Sequence, residues 1–111
     1  MSSHRYNLKE GGFEVTSLPG NPQVAICHAF YIAPRHRGGG AGKKLKSYQN
    51  DFLKVMGYDY AVCTVRTDNI KQRNVLQSQG WKWIDEFYDH RQDVVVELWS
   101  HKIVRAGEEN G

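Results

Sequence analysis

The stretch Phe30-Tyr31-Ile32-Ala33-Pro34-Arg35-His36-Arg37-Gly38-Gly39-Gly40-Ala41-Gly42-Lys43-Lys44-Leu45 decides the reading of this chain. An apolar strand stops at a proline, which cannot donate to a sheet ladder. A basic turn and a glycine run then open directly into an amphipathic helix. Glycines let the backbone turn so that successive N–H groups point into one concavity at a helix N-terminus, a site suited to phosphate. The Arg and Lys side chains beside it would strengthen such a site.

Outward from this segment, the pattern is one of alternating strands and helices. Towards the N-terminus, Tyr6–Leu8 and Phe13–Leu18 read as two short strands around a turn at Glu10-Gly11-Gly12. Leu18-Pro19-Gly20-Asn21-Pro22 is a further turn, and Val24–Ala33 reads as a long apolar strand covered on both faces. Beyond Ala41 the period becomes helical. Leu45, Tyr48 or Gln49, Phe52, Leu53 and Met56 form one buried stripe, and Gly57 ends the helix. Tyr58–Val65 is a second buried strand. Asp68 or Asn69 caps a shorter helix carrying Ile70, Val75 and Leu76, which Gly80 ends. Trp81–Tyr88 and Val94–Val104 complete the order β-β-β-α-β-α-β-β, an α/β architecture with a mixed central sheet flanked by helices. Simple alternation puts Trp81, Trp83 and Phe87 on one face of the late strand, with Ile84 and Tyr88 on the other. Two apolar faces there suggest a homodimer through the last strands. Residues 1–105 are expected to form a single domain and residues 106–111 a disordered tail.

With 111 residues, 40% of them hydrophobic and 12% aromatic, the chain has enough apolar material for one core and little for a second. No apolar run has membrane-spanning length, and the N-terminus lacks a signal-like apolar segment, so a soluble cytoplasmic protein is expected. Cys27 and Cys63 lack metal-ligand spacing and read as buried free thiols, with no metal expected. The net charge of +3 is too small to argue for nucleic acid by itself. However, Arg35, Arg37, Lys43, Lys44 and Lys46 lie in an acid-free run around the glycines and would make a local positive field.

Two common phosphate loops fail on spacing. A P-loop would need glycine where Arg37 stands and Ser or Thr where Lys44 stands. A dinucleotide fingerprint from Gly38 would need glycine at Lys43. A third pattern fits: Arg37-Gly38-Gly39-Gly40-Ala41-Gly42 matches Arg/Gln-x-x-Gly-x-Gly, and Asn69 precedes Gly80-Trp81 at a suitable distance. In these features the chain resembles the GNAT family of N-acetyltransferases, from about Val24 to Ile103, as a compact member with a shortened N-terminal region.

The resemblance implies a GNAT-like fold and acetyl-CoA as co-substrate. The pantetheine arm would run along the backbone of Phe30, Tyr31 and Ile32 in a wedge between parallel strands. The pyrophosphate would sit on Arg37, Gly38, Gly39, Gly40, Ala41, Gly42 and Lys43, and Asn69 would reach the pantetheine from the other side. The acceptor implied is an amine, on a protein or another macromolecule, attacked directly in a ternary complex. Two family features are missing. Leu76 stands where a Tyr often serves as general acid, and Thr64 where a Glu often serves as base. His28 is the leading substitute, since imidazole exchanges protons near neutrality and the alternation of the strand puts it with Phe30 and Ile32. Asp68, Tyr31 and Ser78 are weaker candidates. The competing readings are a non-catalytic, GNAT-like binding module acting on a partner protein, and nucleic-acid contact through Arg35–Lys46.

Overall fold

The computed structural model describes residues 3–105; the tail expected at 106–111 lies outside the described residues. Six strands form one sheet: β1 (Ser3–Asn7), β2 (Gly11–Leu18), β3 (Asn21–Ile32), β4 (Tyr60–Arg66), β5 (Lys82–Asp89) and β6 (Val94–Lys102). Helix α1 (Ala41–Val55) joins β3 to β4, and α2 (Ile70–Ser78) follows β4. The order across the sheet is β1-β2-β3-β4-β6-β5. Only β3 and β4 run parallel, as a helical crossover requires, and the other pairs are antiparallel.

The element order follows the sequence reading, with shifted ends. The first strand begins at Ser3 rather than Tyr6, and Trp81 precedes β5 instead of opening it. Gly57 and Gly80 do end their helices, at φ of +87° and +82°. One expectation fails for both inner strands. Along β3 only Ala25 and Cys27 are buried, and along β4 only Ala61, Cys63 and Val65, so each is covered on one face. Both helices lie on that face. The half-buried side chains of Val24, Ile26 and Val62 line the other, and their apolar character is what made the strands read as covered twice.

Helix α1 buries Leu45, Phe52 and Leu53 together with the polar Lys46 and Gln49. Tyr48 and Met56 are exposed instead. The stripe is therefore rotated slightly towards Lys46. Tyr6, Phe13 and Phe52 make an aromatic cluster under the outer end of the sheet, with Tyr6 and Phe52 edge to face at 4.5 Å. At the opposite edge, β5 bulges between Trp83 and Asp85. The extra residue shifts the register, so Trp83 opposes Trp99 while Phe87 opposes Val96. Trp83 and Phe87 thus lie on opposite faces, correcting the simple alternation.

Candidate active site

The site is built where β3 and β4 part company. Their ladder holds only Val24 to Tyr60, Ala25 to Ala61 and Ile26 to Val62, then opens at Cys27 and Cys63. A bulge in β3 lies just beyond. Glu14 pairs with His28 and Gly12 with Tyr31, so β3 carries an extra residue here, and Ala29 takes the left-handed conformation at φ +54°. The bulge flips the strand. Phe30 and Ile32 join Cys27 on the helix side and pack on the core, whereas His28 stays on the open face. The shared parity expected for His28, Phe30 and Ile32 is thereby overturned. Two adjoining hollows follow: a wedge of 520 Å³ between the strands, and a groove of 610 Å³ from Phe30 to the start of both helices. Phe30, Asn69 and Gln72 line both.

The glycine loop closes the outer end of the groove. A single 3-10 turn at Pro34–His36 leads into Gly38, Gly39 and Gly40, at φ of +83°, +62° and +84°. Three consecutive left-handed residues are prohibitive for ordinary side chains, which is why this run is glycine. The main-chain N–H groups of Gly38, Gly39, Gly40, Gly42 and Lys43 find no main-chain acceptor among the described residues. They gather at the positive end of α1, whose first turn carries no acidic residue. Gly42 has a second reason: a Cβ there would lie 3.3 Å from Val75 of α2, so the helices approach closely beside the groove.

The structure brings most of the sequence-derived ligands together. Phe30, Tyr31, Ile32 and Arg37 line the groove from the β3 side, and Gly38, Gly40, Ala41, Gly42 and Lys43 from the α1 side. Asn69 closes it from α2. Gly39 faces a neighbouring depression with His36 and Tyr48. The Arg37 guanidinium donates Nε–H to the Ile32 carbonyl at 3.0 Å, pinning the loop to the strand end. Asn69 is a helix cap, its Oδ1 accepting from the Gln72 N–H at 3.2 Å, and its Nδ2 has no partner among the described residues.

The proton-transfer candidates separate. His28 shares hydrogen-bond distance with Thr16 Oγ1 at 2.9 Å through Nε2 and lies 3.3 Å from Glu14 Oε2 through Nδ1. It also lines the wedge, from the open face. Tyr31 donates its hydroxyl to Asn7 Oδ1 at 3.3 Å. Asp68 is paired with Arg66, and the Ser78 hydroxyl bonds its own helix at Val75 O. Leu76 is fully buried in the core, while Thr64 lines the wedge.

Sequence reasoning misses Lys46. Its neighbours Lys43 and Lys44 are exposed, as on a solvated helix face, yet Lys46 is only 1% exposed. It therefore adds nothing to a surface field. Its Nζ stands 4.0 Å from the Trp81 ring centroid and 5.2 Å from that of Phe30, and the residue lines the inner wedge. Burial pushes its pKa down, against the opposing influence of the Cys63 and Cys27 thiols. Burial likewise pushes Cys27 up to about 12 and raises Cys63, so both thiols are inert near neutrality. His101, stacked on Trp81 at 5.2 Å, is held low by desolvation.

Among the described residues, no cluster of His, Cys, Asp or Glu could hold a metal ion, and no helix is long and apolar enough to cross a membrane. The model of the acetyltransferase (GNAT) family matches residues 10–81. The chain belongs to the GNAT family. No curated protein matches the sequence. Solved structures share the fold. An IAA acetyltransferase from Bacillus cereus superposes with a TM-score of 0.74 at 14% identity, covering 83% of this chain and 69% of that one. The yncA protein of Salmonella typhimurium, solved with its cofactor acetyl-CoA, gives 0.74 at 17%, covering 92% and 63%. A spermidine N-acetyltransferase from Vibrio cholerae, in complex with CoA and spermine, gives 0.72 at 17%, covering 84% and 57%. This GNAT chain thus spans less than two thirds of the latter two proteins.

Proposed function

We propose that this protein is an acetyl-CoA-dependent N-acetyltransferase acting on an amine by direct attack in a ternary complex. One observation carries the reading: unpaired N–H groups of the left-handed glycine loop head a groove that shares Phe30, Asn69 and Gln72 with the wedge between β3 and β4. A diphosphate fits the first part by charge and hydrogen bonding. An extended pantetheine arm fits the groove, adding to the exposed edge of Phe30, Tyr31 and Ile32 as a strand would. Arg37, Gly38, Gly40, Ala41, Gly42, Lys43 and Asn69 are the further cofactor contacts, and Gly39, facing the neighbouring depression, shapes the turn that presents them. The acetyl group would then reach the wedge.

The acceptor amine enters from the open face of the sheet, past His28. Glu14, which also pairs with Arg5, orients the His28 ring, and His28 takes the amine's proton, directly or through water. Attack by the neutral amine on the thioester carbon forms the C–N bond, and the C–S bond breaks to release CoA. Holding amine and thioester together supplies much of the acceleration. The helices cover only one face of the sheet, and such an open approach suits an amine carried on a protein. The buried, unpaired thiols fit a reducing cytoplasm, and residues 1–105 would act as one domain. Exposed Trp83, Ile84, Phe87 and Tyr88 on edge strand β5 support pairing of two copies there, which sedimentation equilibrium would test.

Calorimetry with acetyl-CoA tests the binding step. Thiol release across a panel of peptides, polyamines and small amines then tests turnover. Absence of acetyl-CoA binding would sink the reading. Binding without turnover on any amine would favour a non-catalytic module, for which the buried Leu76 in place of a hydroxyl acid already speaks.

A further inference from the structure

Among the described residues, the buried charge other than Lys46 is paired. Glu97 accepts from Arg73 Nε at 3.0 Å and from Trp99 Nε1 at 2.9 Å. Lys46, equally buried, has no carboxylate within ion-pair distance among the described residues. Its ammonium rests on the rings of Trp81 and Phe30. Such contacts offset part of the cost of burying a cation, and a buried cation is fully compensated only by an anion. The cavity beside it is the wedge, which shares Phe30, Asn69 and Gln72 with the groove from the glycine loop. Acyl transfer from a thioester creates an anion there, namely the departing sulfur. The residue placed by the family resemblance to meet that sulfur is Leu76, which has no proton to give.

We propose that Lys46 is the acid of this reaction, donating its proton to the coenzyme A sulfur as the thioester is cleaved. The assignment rests on the acetyl-CoA reading above. As the acceptor nitrogen bonds to the carbonyl carbon, the C–S electron pair leaves with sulfur. Lys46 Nζ–H gives sulfur a proton, yielding CoA thiol and a neutral amine. The proton shed by the acceptor nitrogen restores the ammonium through water. Desolvation makes Lys46 a stronger acid than a surface lysine, bringing it nearer to a thiol in proton affinity. Proton donation fails as pH rises through this lowered value. The other titratable groups acting on Lys46 are Cys27 from β3, Cys63 from β4 and His101 from β6. Glu97 and Arg73 are committed to each other.

The test uses free CoA and needs no acceptor. Ultraviolet absorbance of the thiolate titrates the bound CoA sulfur in wild type, Lys46→Met and Lys46→Arg. Calorimetry with CoA and with a sulfur-free analogue reads binding separately. Cys27 and Cys63, both held upward by burial, stay protonated and dark through the neutral range. The expected result is that bound thiol ionises about one pH unit lower in wild type than in Lys46→Met, a tenfold stabilisation of thiolate. Lys46→Arg should keep part of it. Lys46→Gln replaces Lys46→Met if the latter does not fold. Tight CoA binding with the same titration in both proteins would overturn the assignment alone, whereas no CoA binding to wild type would overturn the acetyl-CoA reading with it. Acetylation of Lys46 itself on incubation with acetyl-CoA, seen by peptide mass, would also overturn it, since the amine would then be an acceptor.

Discussion

The indole Nε1 of Trp81 donates to Oδ1 of Asn50 at 3.1 Å, tying the segment after α2 to the middle of α1. Asn50 in turn donates Nδ2–H to the Gln79 carbonyl at 3.5 Å. One amide thus positions the ring that lies over Lys46. Asn50→Ala would strand a buried indole N–H, and urea unfolding should show a loss of about 1–3 kcal/mol. Asn50→Asp keeps an acceptor and should recover part of it. Equal stability of Asn50→Ala and wild type would show that the bond contributes nothing.

Ala29 holds a left-handed conformation at the β3 bulge. An L-residue with a Cβ costs about 1–2 kcal/mol there, and glycine avoids this at a smaller entropic penalty. Ala29→Gly should therefore raise stability by about 0.5 kcal/mol, and Ala29→Val should lower it by about 1 kcal/mol or more. Denaturation midpoints at unchanged slope read both. A stable Ala29→Val would mean that the bulge relaxes.

Gly40 and Gly20 share a nearly identical φ, +84° and +82°, and a Cβ at either would meet nothing within 4 Å. Gly40→Asp and Gly20→Asp thus carry the same backbone strain. Only the first puts a carboxylate among the free N–H groups of the loop. A charge near the diphosphate costs about 1–2 kcal/mol at surface screening, so acetyl-CoA affinity should fall about tenfold or more in Gly40→Asp. Gly20→Asp should bind as wild type. Calorimetry decides.

Cys27 links stability to alkaline pH. Burial raises its folded pKa from 9.0 to about 12, so the unfolded chain loses this proton first. Its contribution is complete below pH 9 and is lost towards pH 12, at up to about 1.4 kcal/mol per pH unit. Lys46 acts in the opposite sense. Its folded pKa is lowered, so folding gains as pH rises towards the unfolded value of 10.5. Melting curves in alkaline buffers should therefore fall less steeply in Cys27→Ala and more steeply in Lys46→Met than in wild type.

Local chemistry in the sequence is enough to locate the loop, the caps and the crossover. Gly57, Gly80 and Asn69 each have one conformational task, and the structure shows them performing it. Sheet irregularities stay hidden because alanine at position 29 and isoleucine at 84 carry no bulge signal. Each inserted residue reverses the faces assigned after it, moving His28 away from Phe30 and Trp83 away from Phe87. Burial of β3 on one face is hidden too, because an apolar run does not say which side has a cover. Lys46 is within reach of sequence reasoning. It lies three residues before Gln49 and seven before Leu53, on the stripe that α1 buries, and its charge alone argues it outward.

The brief parallel ladder has a mechanical meaning. Among the described residues, a parallel ladder of three residue pairs, extended by the Asp59 N–H bonding the Gln23 carbonyl at 2.9 Å, joins a leaf of β1, β2 and β3 to a leaf of β4, β6 and β5. A molecule lodged in the cleft between the leaves would bridge this seam with its own backbone-like bonds and bind only the assembled form. Occupancy should then slow amide exchange in both leaves together, so that the coenzyme doubles as the missing stretch of a spine.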